Sequence, residues 1–106
     1  MLHYVTLCYT GTRDVKYHTT QADIVVFATD ETPELFDESY IREGAVVIDP
    51  GIYRIDKRWV GNVNYDRMMQ RAGYITPVPG GVGPMTVVML MQNTILAAER
   101  YERISD

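Results

Sequence analysis

The chain has 106 residues, enough for one domain with a single core and few for an enzyme that handles two substrates. Hydrophobic residues make up 46% and charged residues 23%, a globular balance, and the net charge of −4 without a Lys/Arg stripe argues against nucleic acid as a partner. A single cysteine, Cys8, excludes an internal disulfide and a multi-cysteine zinc site; no apolar run spans a bilayer and Met1 opens no signal-like segment, so a cytoplasmic protein without membrane contact is expected.

Tyr4–Cys8 reads as a strand, bounded by the turn-like Thr10-Gly11-Thr12. Asp14–Gln21 is a short, weakly amphipathic helix with Val15, Thr19 and Ala22 near one face. The continuous apolar run Ile24–Ala28 suits a strand covered on both faces, as in parallel sheets. Beyond the loop Thr29–Pro33 a helical turn is expected near Asp37–Ile41, broken by Gly44. Ala45–Asp49 is a second buried strand, ended by Pro50-Gly51, and Tyr53–Trp59 is a polar excursion with the pattern of a hairpin. Asn64 is a good N-cap for a helix over Tyr65–Ala72, with Gly73 at the left-handed C-cap position. Tyr74–Thr76 is a last short strand. After Pro77–Pro84 the pattern is helical from Met85 to Tyr101, with Pro84 in the first turn. That helix is apolar nearly all round at Val87–Met91 and polar by Glu99, Arg100 and Glu102, so it should start buried and emerge into solvent.

Strands alternating with helices imply one α/β domain over residues 1–106, a Rossmann-like parallel sheet with helices on both faces. A nucleotide-binding domain usually opens on a glycine-rich strand–turn–helix, and none precedes Tyr4; the domain is therefore expected to be truncated at its amino terminus. Ligands bind such sheets at the carboxyl ends of the strands, here Cys8–Thr12, Ala28–Thr32, Asp49–Arg54 and Thr76–Thr86. By themselves Gly80, Gly81 and Gly83 are the residues of a tight turn; they do not spell G-x-G-x-x-G and they follow the last strand.

The whole string is more specific. Thr76-Pro77-Val78-Pro79-Gly80-Gly81-Val82-Gly83-Pro84-Met85-Thr86 resembles the signature of the bifunctional methylenetetrahydrofolate dehydrogenase/cyclohydrolase (FolD) family, as do Ala22–Val25, Gly44–Asp49, Val60-Gly61 and Met89–Thr94. The resemblance covers nearly all of this chain and the later part of the family's length. It implies NADP or NAD as cofactor and a folate as substrate: hydride transfer from methylenetetrahydrofolate, then hydrolysis of the methenyl product to the formyl derivative. By position it implies cofactor contacts at Thr10, Gly51 and Ile52, with Thr10 near the adenosine 2′-phosphate. It implies a folate-lining segment at Pro79, Gly80, Gly81, Val82, Gly83, Pro84, Met85, Thr86 and Val87. No catalytic residue and no metal ligand is assigned, because the family's catalytic lysine segment and its phosphate-holding Gly-Arg-Ser loop have no counterpart here. Asp30, Pro50, Tyr53 and Asn62 depart from the usual glycine, valine, asparagine and aspartate. The chain alone is expected to be inactive and to form a homodimer; the alternative is a degenerate stand-alone relative acting as a binding or interaction module.

The remaining features read as structure. Tyr53-x-x-x-Lys57 lies in a polar loop and not on a helix facing a site, so it is taken as surface. His3 and His18 lack partners at metal-ligand spacing, and Cys8 is a small buried hydrophobe. Met68, Met69, Met85, Met89 and Met91 follow helical faces and read as core, Glu31, Glu34, Asp37 and Glu38 as a solvated acidic loop, and Trp59 as an exposed self-association surface.

Overall fold

Two apolar runs and one short strand assemble the sheet. In a computed structural model that describes residues 3–30 and 32–105, β1 (Ile24–Val26), β2 (Val46–Ile48) and β5 (Tyr74–Ile75) pair in parallel in the order β1-β2-β5. Ile24 lies opposite Val46 and Val46 opposite Tyr74, so Val25, Val47 and Ile75 share one face. That face is the core. Val25 and Val47 pack there with Phe27, Phe36, Ile41, Ala45, Val63 and Met68, and the Phe27 and Phe36 rings stack at 4.6 Å.

The connections cover that face. Helix α1 (Val15–Thr19) is capped by Asp14, whose carboxylate accepts from the Tyr17 N–H. A 3₁₀ turn (Glu38–Tyr40) edges Tyr40 onto Phe36 at 5.0 Å. Helix α2 (Tyr65–Met68) starts as expected, with Asn64 Oδ1 accepting from Arg67 N–H, but is shorter than the anticipated Tyr65–Ala72. Gly73 does not take a left-handed conformation; its N–H donates to Ala45 O at 2.8 Å, and an added Cβ would strike Gly44 O, so space and not φ selects glycine there. Gly44 itself has φ of +78°.

The polar excursion is a hairpin, with β3 (Tyr53–Ile55) antiparallel to β4 (Arg58–Val60) and Ile55 opposite Arg58. Its two-residue turn puts Asp56 and Lys57 at φ of +47° and +69°, the signs a type I′ turn requires. The acidic loop is paired as well as solvated: Arg58 meets Glu34 at 3.1 Å, and Arg67 meets Asp37 at 3.3 Å and Glu38 at 2.8 Å. Glu31 lies outside the described residues.

Two expectations fail for one reason. Tyr4–Cys8 joins no sheet: Tyr4 is 97% and Leu7 91% exposed, and among the described residues no strand pairs with the outer edge of β1. Helix α3 runs Val82–Ser105, starting three residues before Met85, and is not buried; Leu90 and Met91 are each 64% exposed. Met69, Met85, Met89 and Met91 are exposed, leaving Met68 as the core methionine of that set. The sheet face of Ile24 and Val26 is likewise open. An apolar strand or helix is buried only where neighbours enclose it, and the described residues fully enclose the sheet on the face of Val25 and Val47. The radius of gyration, 16.9 Å, accordingly exceeds the about 13 Å of a compact domain this long.

Lys57 pays for a left-handed conformation that glycine adopts freely. Lys57→Gly is expected to stabilise the fold by about 1 kcal/mol, read as a raised urea midpoint. Acid should act through the loop. Hydrogen bonds from the Ser39 hydroxyl and N–H, then the charge of Arg67, hold the Asp37 carboxyl below the usual range; the Arg67 hydrogen bond does the same for Glu38. Depressed folded-state values mean stability present above the ordinary carboxylate range and lost as pH falls through the folded values. Melting temperature should therefore drop below about pH 4, and less steeply in Asp37→Asn.

Candidate functional site

β2 ends in Asp49, and its side chain turns back into the protein. Asp49 is 2% exposed; Oδ1 accepts from Gly51 N–H and Asn62 N–H, each at 2.9 Å, and Oδ2 from Val63 N–H at 3.0 Å. A buried carboxylate is tolerable only when donors replace its water, and three backbone N–H groups do so here. Gly61 makes the approach possible, since an added Cβ would overlap the carboxylate. Asp49 N–H in turn donates to Thr76 Oγ1 at 2.8 Å, which ties the end of β2 to the end of β5.

Asn62 carries the tie to the third strand. It is 1% exposed, and its Nδ2 donates to Thr29 O at 2.8 Å and reaches Tyr53 Oη at 3.1 Å and Thr32 Oγ1 at 3.2 Å. The Tyr53 hydroxyl donates to the same Thr29 carbonyl at 2.7 Å, and the hydroxyls of Thr29 and Thr32 bond to each other. Asn62 Oδ1 faces Gly51, where a Cβ would not fit. The loops after β1, β2 and β5 thus meet at one rim of the parallel sheet.

Gly51 is half-buried in this network and Ile52 beside it is exposed, so the structure brings these two sequence-assigned residues to the rim. Pro79–Val87 leaves the rim as the turn into α3. The Val78–Pro79 peptide is cis, Gly80 has φ of +98°, and an added Cβ at Gly81 would meet Pro77 O, so the turn needs both glycines. Val82, Gly83 and Pro84 form the first turn of α3, Thr86 Oγ1 donates to Val82 O at 2.9 Å, and Met85 and Val87 are exposed. Thr10 is not gathered in: the bonds of its turn, Thr12 N–H to Tyr9 O and Tyr9 N–H to Thr12 Oγ1, are internal to it.

The sequence marks Asp49 as a strand end opening the rim segment Asp49–Arg54, and Asn62 as a departure from the family's usual residue, without pairing the two. The signal available was an acidic residue closing a fully apolar run, which must find buried donors, with a glycine twelve residues later at Gly61. Asp30 stands exposed at the same rim, as a carboxylate outside the network.

The rim is open. A cleft of about 170 Å³ beneath the hairpin, lined by Asp49, Trp59 and Val78 among others, is smaller than the roughly 300 Å³ at which ligand pockets begin. A shallow hollow of about 420 Å³ lies on α3, between Val82, Met85, Thr86, Met89, Leu90 and Asn93.

Parallel strands whose carboxyl-end loops converge beside a glycine-rich turn into a helix define a nucleotide-binding α/β domain. Residues 3–102 match the tetrahydrofolate dehydrogenase/cyclohydrolase NAD(P)-binding domain, and the chain belongs to that family. It is 54% identical over 102 residues to the bifunctional protein FolD of Nitrosomonas europaea, covering 95% of this chain and 34% of the relative. The bifunctional methylenetetrahydrofolate dehydrogenase/cyclohydrolase of Thermoplasma acidophilum superposes with a TM-score of 0.85 at 35% identity, over 92% of this chain and 35% of that one. The Trypanosoma brucei enzyme, solved with NADP cofactor and inhibitor, gives a TM-score of 0.72 at 42% identity over 85% and 32%. The chain spans about a third of the length of these relatives.

Asp49→Asn sets an amide N–H₂ against a backbone N–H whichever way it turns. It should destabilise the fold by roughly 2–3 kcal/mol, measured as a lowered urea midpoint at unchanged m-value.

Proposed function

We propose that this chain is the nicotinamide-nucleotide side of a folate one-carbon enzyme, a bifunctional methylenetetrahydrofolate dehydrogenase/cyclohydrolase, and that it does not turn over by itself. The observation that carries this reading is the convergence of the loops after β1, β2 and β5 around Asp49 and Asn62, at the rim where α/β sheets take their ligands. NADP or NAD, when bound, supplies the acceptor for the hydride of methylenetetrahydrofolate. The chain's own residues position. Gly51 keeps the backbone low and Ile52 offers an exposed aliphatic side chain to a ligand ring. Pro79–Val87 presents the folate-lining turn, with the open apolar flank of α3 behind it. Thr10 reaches the cofactor's 2′-phosphate only once Tyr4–Cys8 is drawn into a sheet. Neither a lysine positioned for the folate chemistry nor a phosphate-holding loop is among these residues. In isolation the exposed apolar faces drive self-association into a homodimer.

The alternative, an interaction module without ligand, draws on the exposure of α3 and Tyr4–Leu7. Amide shift mapping with NADP at about millimolar concentration separates the two, since it detects weak binding. NADP should move Gly51, Ile52 and Gly80–Val82 and leave the hairpin tip at Asp56–Lys57 unmoved. Absent or scattered shifts would reject the cofactor role. A dehydrogenase assay on the chain alone should show no turnover; a rate on the order of 1 per second or more would reject that expectation.

A further inference from the structure

The loops after β1 and β2 carry charge of one sign. Residues 29–32 and 49–52 hold three acidic residues, Asp30, Glu31 and Asp49, and no lysine or arginine. The Asp49 charge is buried and answered by three backbone N–H groups. Asp30 is exposed, and among the described residues nothing hydrogen-bonds or ion-pairs with its side chain. Its place is nonetheless fixed. Thr29 beside it accepts at one carbonyl oxygen from Tyr53 Oη at 2.7 Å and from Asn62 Nδ2 at 2.8 Å. Asp30 and the exposed Ile52 hold matching places on neighbouring strands, each four residues beyond the paired Val26 and Ile48.

The same part of the rim has an unused acceptor. Asn62 is 1% exposed, its Oδ1 has no partner, and that oxygen lies against Gly51, where a Cβ would not fit. A buried polar atom left unpaired is rare and asks for a donor. Acceptors, negative charge and an aliphatic side chain are therefore what these two loops offer. Phosphates need the reverse, donors and cations. A flat cationic ring that carries N–H and O–H donors is the complementary ligand.

We propose that Asp30 is a specificity-determining residue whose carboxylate faces the nicotinamide riboside end of the cofactor, with the phosphates directed away from the loop after β1. The proposal rests on the cofactor reading above. The nicotinamide ring is cationic when oxidised and neutral when reduced. A carboxylate near it at a wet surface changes affinity about threefold between the two. The chain thus holds the oxidised cofactor in preference and lets the reduced one go. The glycine that the resemblance gives at this position has no charge with which to do so, and the bias belongs to this chain.

The test titrates the 106-residue chain with oxidised NADP and with NADPH, reading dissociation constants from amide shifts at low salt and at about 1 M salt. Asp30→Asn, at an exposed and unpaired position, keeps the fold, which the remaining amide shifts check. It should weaken oxidised NADP about threefold and leave NADPH unchanged, a difference that high salt removes. Asp56→Asn, at the exposed hairpin tip, should move neither constant. Tighter binding of both cofactors by Asp30→Asn would put a phosphate at this loop and overturn the proposal. An equal change in both, no change, or the same selective loss from Asp56→Asn would also overturn it. In each of those cases both cofactors still bind and the cofactor reading stands; binding of neither rejects that reading and the proposal with it.

Discussion

Asp49 leaves the end of β2 with its carboxylate folded under Gly61 and held by the N–H groups of Gly51, Asn62 and Val63. An unpaired carboxylate at that depth would cost several kcal/mol, so the backbone from Gly51 to Val63 must close around it. Closure fixes where the hairpin leaves and returns. It also delivers Asn62 to Thr29, and the Asp49 N–H secures Thr76. The rim is built outward from one satisfied charge.

Two departures from the family's usual residues belong together in this light. Asn62 stands where the resemblance gives an aspartate, and Tyr53 where it gives an asparagine. The Asn62 amide donates to the Thr29 carbonyl, and the Tyr53 hydroxyl donates to the same oxygen. A carboxylate at position 62 could only accept, and would face that carbonyl with no proton to offer. The two side chains together hold the loop after β1 through one carbonyl oxygen.

The molecule is uneven in how well it satisfies itself. Around Val25, Val47, Phe27 and Met68 it is packed like an ordinary core, and in the polar hub beside it the Asp49 carboxylate and the Asn62 amide nitrogen are hydrogen-bonded while Asn62 Oδ1 has no partner. Among the described residues nothing covers Ile24 and Val26 on the other sheet face, the free edge of β1 or α3 from Gly83 to Ile104.

Local chemistry was legible in the residues. The apolar runs at Ile24–Ala28 and Ala45–Asp49 became parallel strands, Asn64 capped its helix, Tyr53–Trp59 closed as a hairpin, and Gly80 and Gly81 are necessary to the turn after Pro79. These depend on covalent geometry and on neighbours a few residues away. The family, too, was readable, because a string of eleven residues retains its identity without any fold. The failures at Tyr4–Cys8 and α3 were of another kind. A hydrophobic pattern states that a segment needs cover, and only the tertiary structure shows whether the chain holds anything to provide it. The same limit hid Asp49 and Asn62. Their partners lie up to 33 residues away, and a hydrogen bond across that distance exists only once packing has brought its two ends together.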